Sequence, residues 1–169
     1  MALFDRWKGR PETVPVRDPG PVQYERSDVQ PPPWPRPLAA IRKEVFPASF
    51  VQSGPLVATH PSWVVAATLG RRTIGYTHVI RAEREASGCY FDEIAVRPKH
   101  RHQGVGRELV RQSAIWMLEE GFETIFAVAL KDAEKLRREA WFESMGLRDS
   151  GWSAYRADLV ELVEKLNRR

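Results

Sequence analysis

Hydrophobic positions change period several times along the chain. Leu38, Ile41 and Val45 recur at helical spacing, between Pro37, which suits the first turn of a helix, and Pro47, which stops one. Three β-branched and aromatic runs follow: SWVVAATL (62–69), TIGYTHVIRA (73–82) and CYFDEIAV (89–96). A Gly-Arg-Arg turn and a polar loop separate them, so they predict three successive antiparallel strands. From Gly104 the period lengthens. Val105, Leu109, Ala114, Met117 and Leu118 share one helical face, Arg107, Glu108, Arg111, Gln112 and Glu119 the other, and Gly121 marks the stop. ETIFAVAL (123–130) predicts another strand. Asp132 is placed to cap an amphipathic helix running to Ser144 and ended by Gly146, and WSAYRADL (152–159) predicts a last strand before a short C-terminal helix. The order is mixed α/β: an antiparallel meander, a strand–helix–strand crossover, a helix and a closing strand, with no internal repeat.

Composition divides the chain further. Its 169 residues suit one domain. Nine of the 13 prolines lie in the first 37 residues, where missing amide donors and fixed φ oppose helix and central strand alike. Residues 1–37 are therefore expected to be a flexible tail, 38–158 the folded domain and 159–169 a C-terminal helix. The alternation Val22-Gln23-Tyr24-Glu25 allows one edge strand over 22–26, and PPPWP offers a sharper alternative, a polyproline ligand for a partner domain.

A net charge of +4 and a pI near 9.5 favour an anionic partner: nucleic acid, a membrane surface or a phosphorylated small molecule. The basic pairs Arg71-Arg72, Arg137-Arg138 and Arg168-Arg169 are scattered without interleaved aromatics, so nucleic acid is not the favoured partner. Cys89 is the sole cysteine, which excludes an intrachain disulfide and a cysteine metal cluster, and no metal is expected. No apolar run approaches the roughly 18 residues of a membrane span, and MALFDRWKGR lacks the apolar core of a secretion signal. A cytoplasmic protein without a membrane partner is expected, and a homodimer is compatible with the sequence.

The loop RPKHRHQGVGREL (97–109) concentrates cations and two glycines between the third meander strand and the long helix. The first amides of a helix have no internal partner and the helix dipole is positive there, so this junction suits an anion. Gly104 and Gly106 let that anion approach the backbone, and Arg101, His102 and Arg107 add side-chain charge. The spacing Arg-x-x-Gly-x-Gly fits neither the dinucleotide fingerprint nor a nucleotide-triphosphate loop.

IAVRPKHRHQGVGRELV, followed in order by AWFESMGL (140–147), resembles the signature of the Gcn5-related N-acetyltransferase (GNAT) family. With the strand order, the resemblance covers residues 38–158. It implies a central, mostly antiparallel sheet with a strand–helix–strand crossover that binds acetyl-CoA. It implies, too, an acetyl-CoA-dependent N-acetyltransferase acting on a primary amine. The main-chain amides of Arg101, His102, Gln103, Gly104, Val105, Gly106 and Arg107 would bind the pyrophosphate, Ile94, Ala95 and Val96 would run along the pantetheine arm, and Phe142 would lie at the cofactor. The family's usual tyrosine acid falls at Phe142, which has no proton to give; Tyr155 and Tyr90 are the candidates to replace it.

A neutral amine is needed, because an alkyl ammonium with a pKa near 10.4 leaves only about one molecule in a few thousand nucleophilic at neutral pH. The resemblance puts Asp92 first as base, with Glu93 as the fallback. Strand alternation sets the two on opposite faces, so only one can face the cleft. Water-relayed deprotonation is a third route, and Cys89 as an acyl-accepting nucleophile a remote one. The short segment before SWVVAATL implies a shallow acceptor site suited to a protein N-terminus, a lysine or the amine of an aminoacyl-RNA; Trp63, Tyr76 and Trp152 are candidates to line it. Small amines and aminoglycosides are further acceptors, for which a negative cleft is expected. The competing reading is a catalytically weak acyl-CoA-binding regulatory module, which Phe142 would permit.

Overall fold

A computed structural model describes residues 20–27, 35–52 and 62–168. Seven strands form one sheet: β1 (Gln23–Ser27), β2 (Ser62–Leu69), β3 (Arg72–Arg81), β4 (Gly88–Val96), β5 (Thr124–Val128), β6 (Arg148–Gly151) and β7 (Ala154–Asp158). Their order is β1-β2-β3-β4-β5-β7-β6, antiparallel throughout except for the parallel β4–β5 pair. The helix α3 (Val105–Glu119) makes that crossover. The expected meander is β2 to β4, and the alternation at residue 22 does supply the edge strand, shifted by one residue and paired with β2.

The helices α1 (Arg36–Val45) and α2 (Ala48–Gln52) precede β2, and α1 packs on one face of the sheet, where Leu38 and Ile41 meet Val64, Tyr76 and Ala95. On the other face α3 and α5 (Leu159–Asn167) bury the larger core around Leu109, Met117, Ile125 and Val79. The C-terminal helix is an integral part of that core. Leu159, Leu162 and Leu166 are each buried, at about 1.5–3 kcal/mol per side chain. Asp158 caps α5 by accepting a hydrogen bond from the Glu161 amide. The helix α4 (Lys135–Met145) lies beside α5 and β6 and ends at Gly146, whose φ of 110° needs glycine.

Several local expectations are corrected. WSAYRADL is not one strand: Trp152 and Ser153, with φ near 60° in both, form the turn between β6 and β7, and Leu159 already begins α5. Asp132 does not cap α4, whose N-cap is Glu134; its Oδ1 instead accepts from the Glu134 amide in the turn before the helix. The short α2 after Pro47 has too few residues for a visible period. Most of the proline-rich tail, including most of PPPWP, and the segment 53–61 on which the shallow acceptor site rested lie outside the described residues.

Two irregularities shape the centre of the sheet. His78 on β3 is opposite Glu93 on β4, yet the next pair is Val79 with Phe91, so Asp92 is an extra residue in a β-bulge. The β4–β5 pairing ends at Phe91 and Ala127, after which β4 continues to Val96 while β5, paired with β7, ends at Val128. A V-shaped gap opens between them.

Candidate active site

The gap is the mouth of a cavity of about 1010 Å³. Its walls are the free half of β4, the loop before α3, the end of β5 at Val128 with Leu130 just after it, and α4 (Arg137, Arg138, Trp141, Phe142); it extends to the end of α1 and to Ile80 and Arg81 at the end of β3 with Glu83 and Arg84 beyond. Of the residues expected to bind the cofactor, Ile94, Val96, Arg101, His102, Gly104, Gly106, Arg107 and Phe142 line this cavity. Ala95 and Val105 are instead buried in the two cores, and Gln103, whose Nε2 donates to the Lys99 carbonyl, faces away from it.

At the loop, a 3-10 turn over Pro98–His100 leads to Gly104, the N-cap of α3 with φ 80°. A Cβ on Gly104 would meet nothing within 4 Å, so this backbone borders open space, whereas one on Gly106 would approach the Trp141 ring at 3.2 Å. Most of the neighbouring side chains are already engaged. Arg101 donates to the Val96 carbonyl, Arg107 to the Lys165 and Leu166 carbonyls at the end of α5, and His102 Nε2 lies 2.6 Å from Arg137 Nη2. The part of the loop left for an anion is therefore the amide row at the start of a 15-residue helix, ringed by positive charge.

The other end of the cavity carries two adjacent carboxylates, Asp92 and Glu93. Alternation would have set Asp92 and Glu93 on opposite faces, but the bulge turns both towards the α1 side, and both line the cavity. Their environments differ. Glu93 is 2% exposed; its Oε1 accepts from Arg42 Nε at 2.6 Å and its Oε2 from the Tyr76 hydroxyl. Burial holds the Glu93 carboxyl above its ordinary range, against the downward pull of Tyr76 and Arg42. Arg42 is itself buried and also donates to the Val51 carbonyl. Asp92 Oδ2 lies 2.9 Å from His78 Nδ1, and among the described residues no hydrogen bond engages Oδ1.

The remaining candidates separate by position. Phe142 is buried with its ring between Trp141 and Tyr155, at centroid distances of 5.5 and 5.3 Å. Tyr155 is thus placed behind Phe142 and is not among the cavity walls; burial and the carboxylates of Glu139, Asp149 and Glu143 push its phenol up. Tyr90 does line the cavity, stacked on Phe126. Burial pushes the Cys89 thiol up to about 12, which removes it as a nucleophile at neutral pH. None of the three aromatics proposed for the acceptor is a wall: Trp63 is core, edge-on to Phe122, Tyr76 is the buried partner of Glu93, and Trp152 is 97% exposed at the β6–β7 turn. Reading the sequence missed Arg42 and His78, although each is a charged or polar side chain at an apolar-periodic position: Arg42 falls beside Leu38, Ile41 and Val45, and His78 stands inside TIGYTHVI.

Comparison with known proteins gives a family match: the profile described as the acetyltransferase (GNAT) family covers residues 23–147. No curated protein matches the chain by sequence. Among solved structures, a candidate GNAT-family acetyltransferase from Desulfovibrio desulfuricans is 18% identical over 82% of this chain and 99% of its own, with a TM-score of 0.68. A GNAT family acetyltransferase from Elizabethkingia anophelis with acetyl-CoA bound is 12% identical over 81% and 97%, TM-score 0.61. The ribosomal-protein-S18-alanine N-acetyltransferase of Escherichia coli is 16% identical over 79% and 91%, TM-score 0.56. At these identities the likeness is one of fold.

Proposed function

Because the chain belongs to the acetyltransferase (GNAT) family, we propose that it transfers an acetyl group from acetyl-CoA to a primary amine, with Asp92 taking the proton. One observation carries this: a single cavity joins a glycine-bordered helix N-terminus at one end to a carboxylate with a free oxygen at the other. The residues fit an acyl-CoA. The open backbone at Gly104 suits a phosphate, the unpaired edge of β4 from Ile94 to Val96 suits an extended polar arm, and the apolar walls Val128, Leu130, Trp141 and Phe142 suit its alkyl portions. When bound, the thioester supplies the electrophilic carbonyl and a thiolate leaving group.

The amine enters between the end of α1, at Val45 and Phe46, and the end of β3. Asp92 Oδ1 accepts its proton, which frees the nitrogen lone pair for attack. Glu93 does not serve as the base in this reading, since both of its oxygens are held. An amine carried on a protein chain or an aminoacyl-RNA fits an entrance at the surface; that choice of acceptor is part of the proposal. Incubation with acetyl-CoA and a lysine peptide, an N-terminal alanine peptide, spermidine and an aminoglycoside is expected to accelerate free-CoA release with at least one of them. Phe142 supports the second reading, an acyl-CoA-binding module without efficient transfer. Acetyl-CoA binding with no acceleration by any amine would favour that module.

A substitution at the loop tests the donor end. Gly104→Val puts a β-branched side chain into the space where the anion would sit, at a left-handed φ that costs about 1–2 kcal/mol for residues with a Cβ. The variant is expected to bind acetyl-CoA at least about tenfold more weakly, a difference of about 1.4 kcal/mol. Equal affinity by calorimetry would remove the anion from this loop.

A further inference from the structure

We infer that His78 is a positioning residue for proton removal, resting on the assignment of Asp92 as base. Its side chain is fully buried on β3, and Nδ1 lies 2.9 Å from Asp92 Oδ2. The bulge explains why the contact exists. By leaving Asp92 unpaired in the β3–β4 ladder, it turns that carboxylate onto the face that His78 shares with Tyr76 and Glu93. A bulged residue has lost part of its backbone restraint, so the direction of its side chain is fixed by what the side chain touches. Here that is an imidazole nitrogen. With Nδ1–H donating to Oδ2, the plane of the carboxylate is held and Oδ1 is presented to the cavity.

The proton step then balances simply: the N–H bond of the ammonium breaks, an O–H bond forms at Asp92 Oδ1, and the electron pair stays on nitrogen. His78 neither gains nor loses a proton. It stabilises the carboxylate before transfer and holds its plane during it. Glu93 is spoken for by Arg42 and Tyr76, so the two carboxylates have separate partners and do separate work: one closes a buried ion pair, the other faces the amine. Among the described residues, the charged and titratable groups around the His78–Asp92 pair include Glu93 and Tyr90 from β4, Tyr76 from β3 and Arg42 from α1, while β2 presents the non-titrating Val64 opposite His78.

The test compares His78→Phe with His78→Asn in the full-length enzyme, on the amine that wild type acetylates fastest. Phenylalanine fills the space without a donor; asparagine restores an N–H close to the position of Nδ1. For His78→Phe, kcat at neutral pH is expected to fall about tenfold, an indirect share of the hundredfold or more that a general base contributes. Loss of the donor disfavours the ionised carboxylate, so the acidic limb of the kcat profile moves to higher pH. Calorimetric affinity for acetyl-CoA stays within about twofold, because the donor end is untouched, and His78→Asn recovers most of the rate and returns the limb. A His78→Phe enzyme with wild-type kcat and an unmoved limb overturns the proposal while Asp92 stands as base. A variant that loses acetyl-CoA affinity and rate together, without recovery by asparagine, shows a purely structural residue and overturns it as well. Absence of transfer by wild type to every amine overturns the function and the role of His78 with it.

Discussion

Asp92→Asn is expected to lower acetyl transfer about a hundredfold or more at neutral pH, the usual contribution of a positioned general base. The replacement keeps the shape and a polar contact with His78 but leaves no basic oxygen for the amine's proton. Acetyl-CoA binding should hardly change, since the anion site proposed around Gly104 lies at the other end of the cavity. Steady-state turnover and calorimetry on the same preparation separate the two effects. An Asp92→Asn enzyme of normal rate would return proton removal to water.

Glu93→Ala should do its damage elsewhere. Removing one member of a buried pair takes from the Arg42 guanidinium its carboxylate partner Glu93, a change that typically costs about 3–5 kcal/mol. Against a total stability of about 5–15 kcal/mol, that is a large share. Urea unfolding is expected to show it as a fall in midpoint at unchanged slope. Replacing both partners by apolar residues of similar volume, Arg42→Met with Glu93→Leu, should recover most of the loss, because the pair's attraction largely offsets its own desolvation. If the single variant unfolds at the wild-type midpoint, Glu93 is no structural partner and its second reading, as base, revives.

These two carboxylates also show what a sequence can and cannot disclose. The loop proposed here to hold a phosphate stood out because its requirements are local: two glycines, a strand before and a helix after, all within one stretch of chain. The meander and the strand–helix–strand crossover were legible for the same reason, each run carrying its own period, whereas the four-residue β6 was too short to show one. That both carboxylates line the cavity depends on the bulge at Asp92, and a single extra residue in a ladder leaves no mark on the hydrophobic pattern of CYFDEIAV. The partners that divide the labour come from distant segments, Arg42 on α1 and His78 on β3, and join only once the sheet has formed. Tyr155 misled for a related reason. It is a candidate acid by residue type alone, and the Phe142 ring stands between it and the cavity.

The gap between β4 and β5 has a mechanical consequence. Across it, the sheet's continuity rests on the pairs from Gly88 with Thr124 to Phe91 with Ala127, so β1–β4 and β5–β7 are two plates joined along a short seam. Whatever lodges in the opening bears on both plates at once, and such a ligand at a hundred times its dissociation constant adds about 2.7 kcal/mol to the folded state. The opening proposed to admit the donor is also where the two plates are least joined, which makes the working stability of this protein a function of how well the opening is filled.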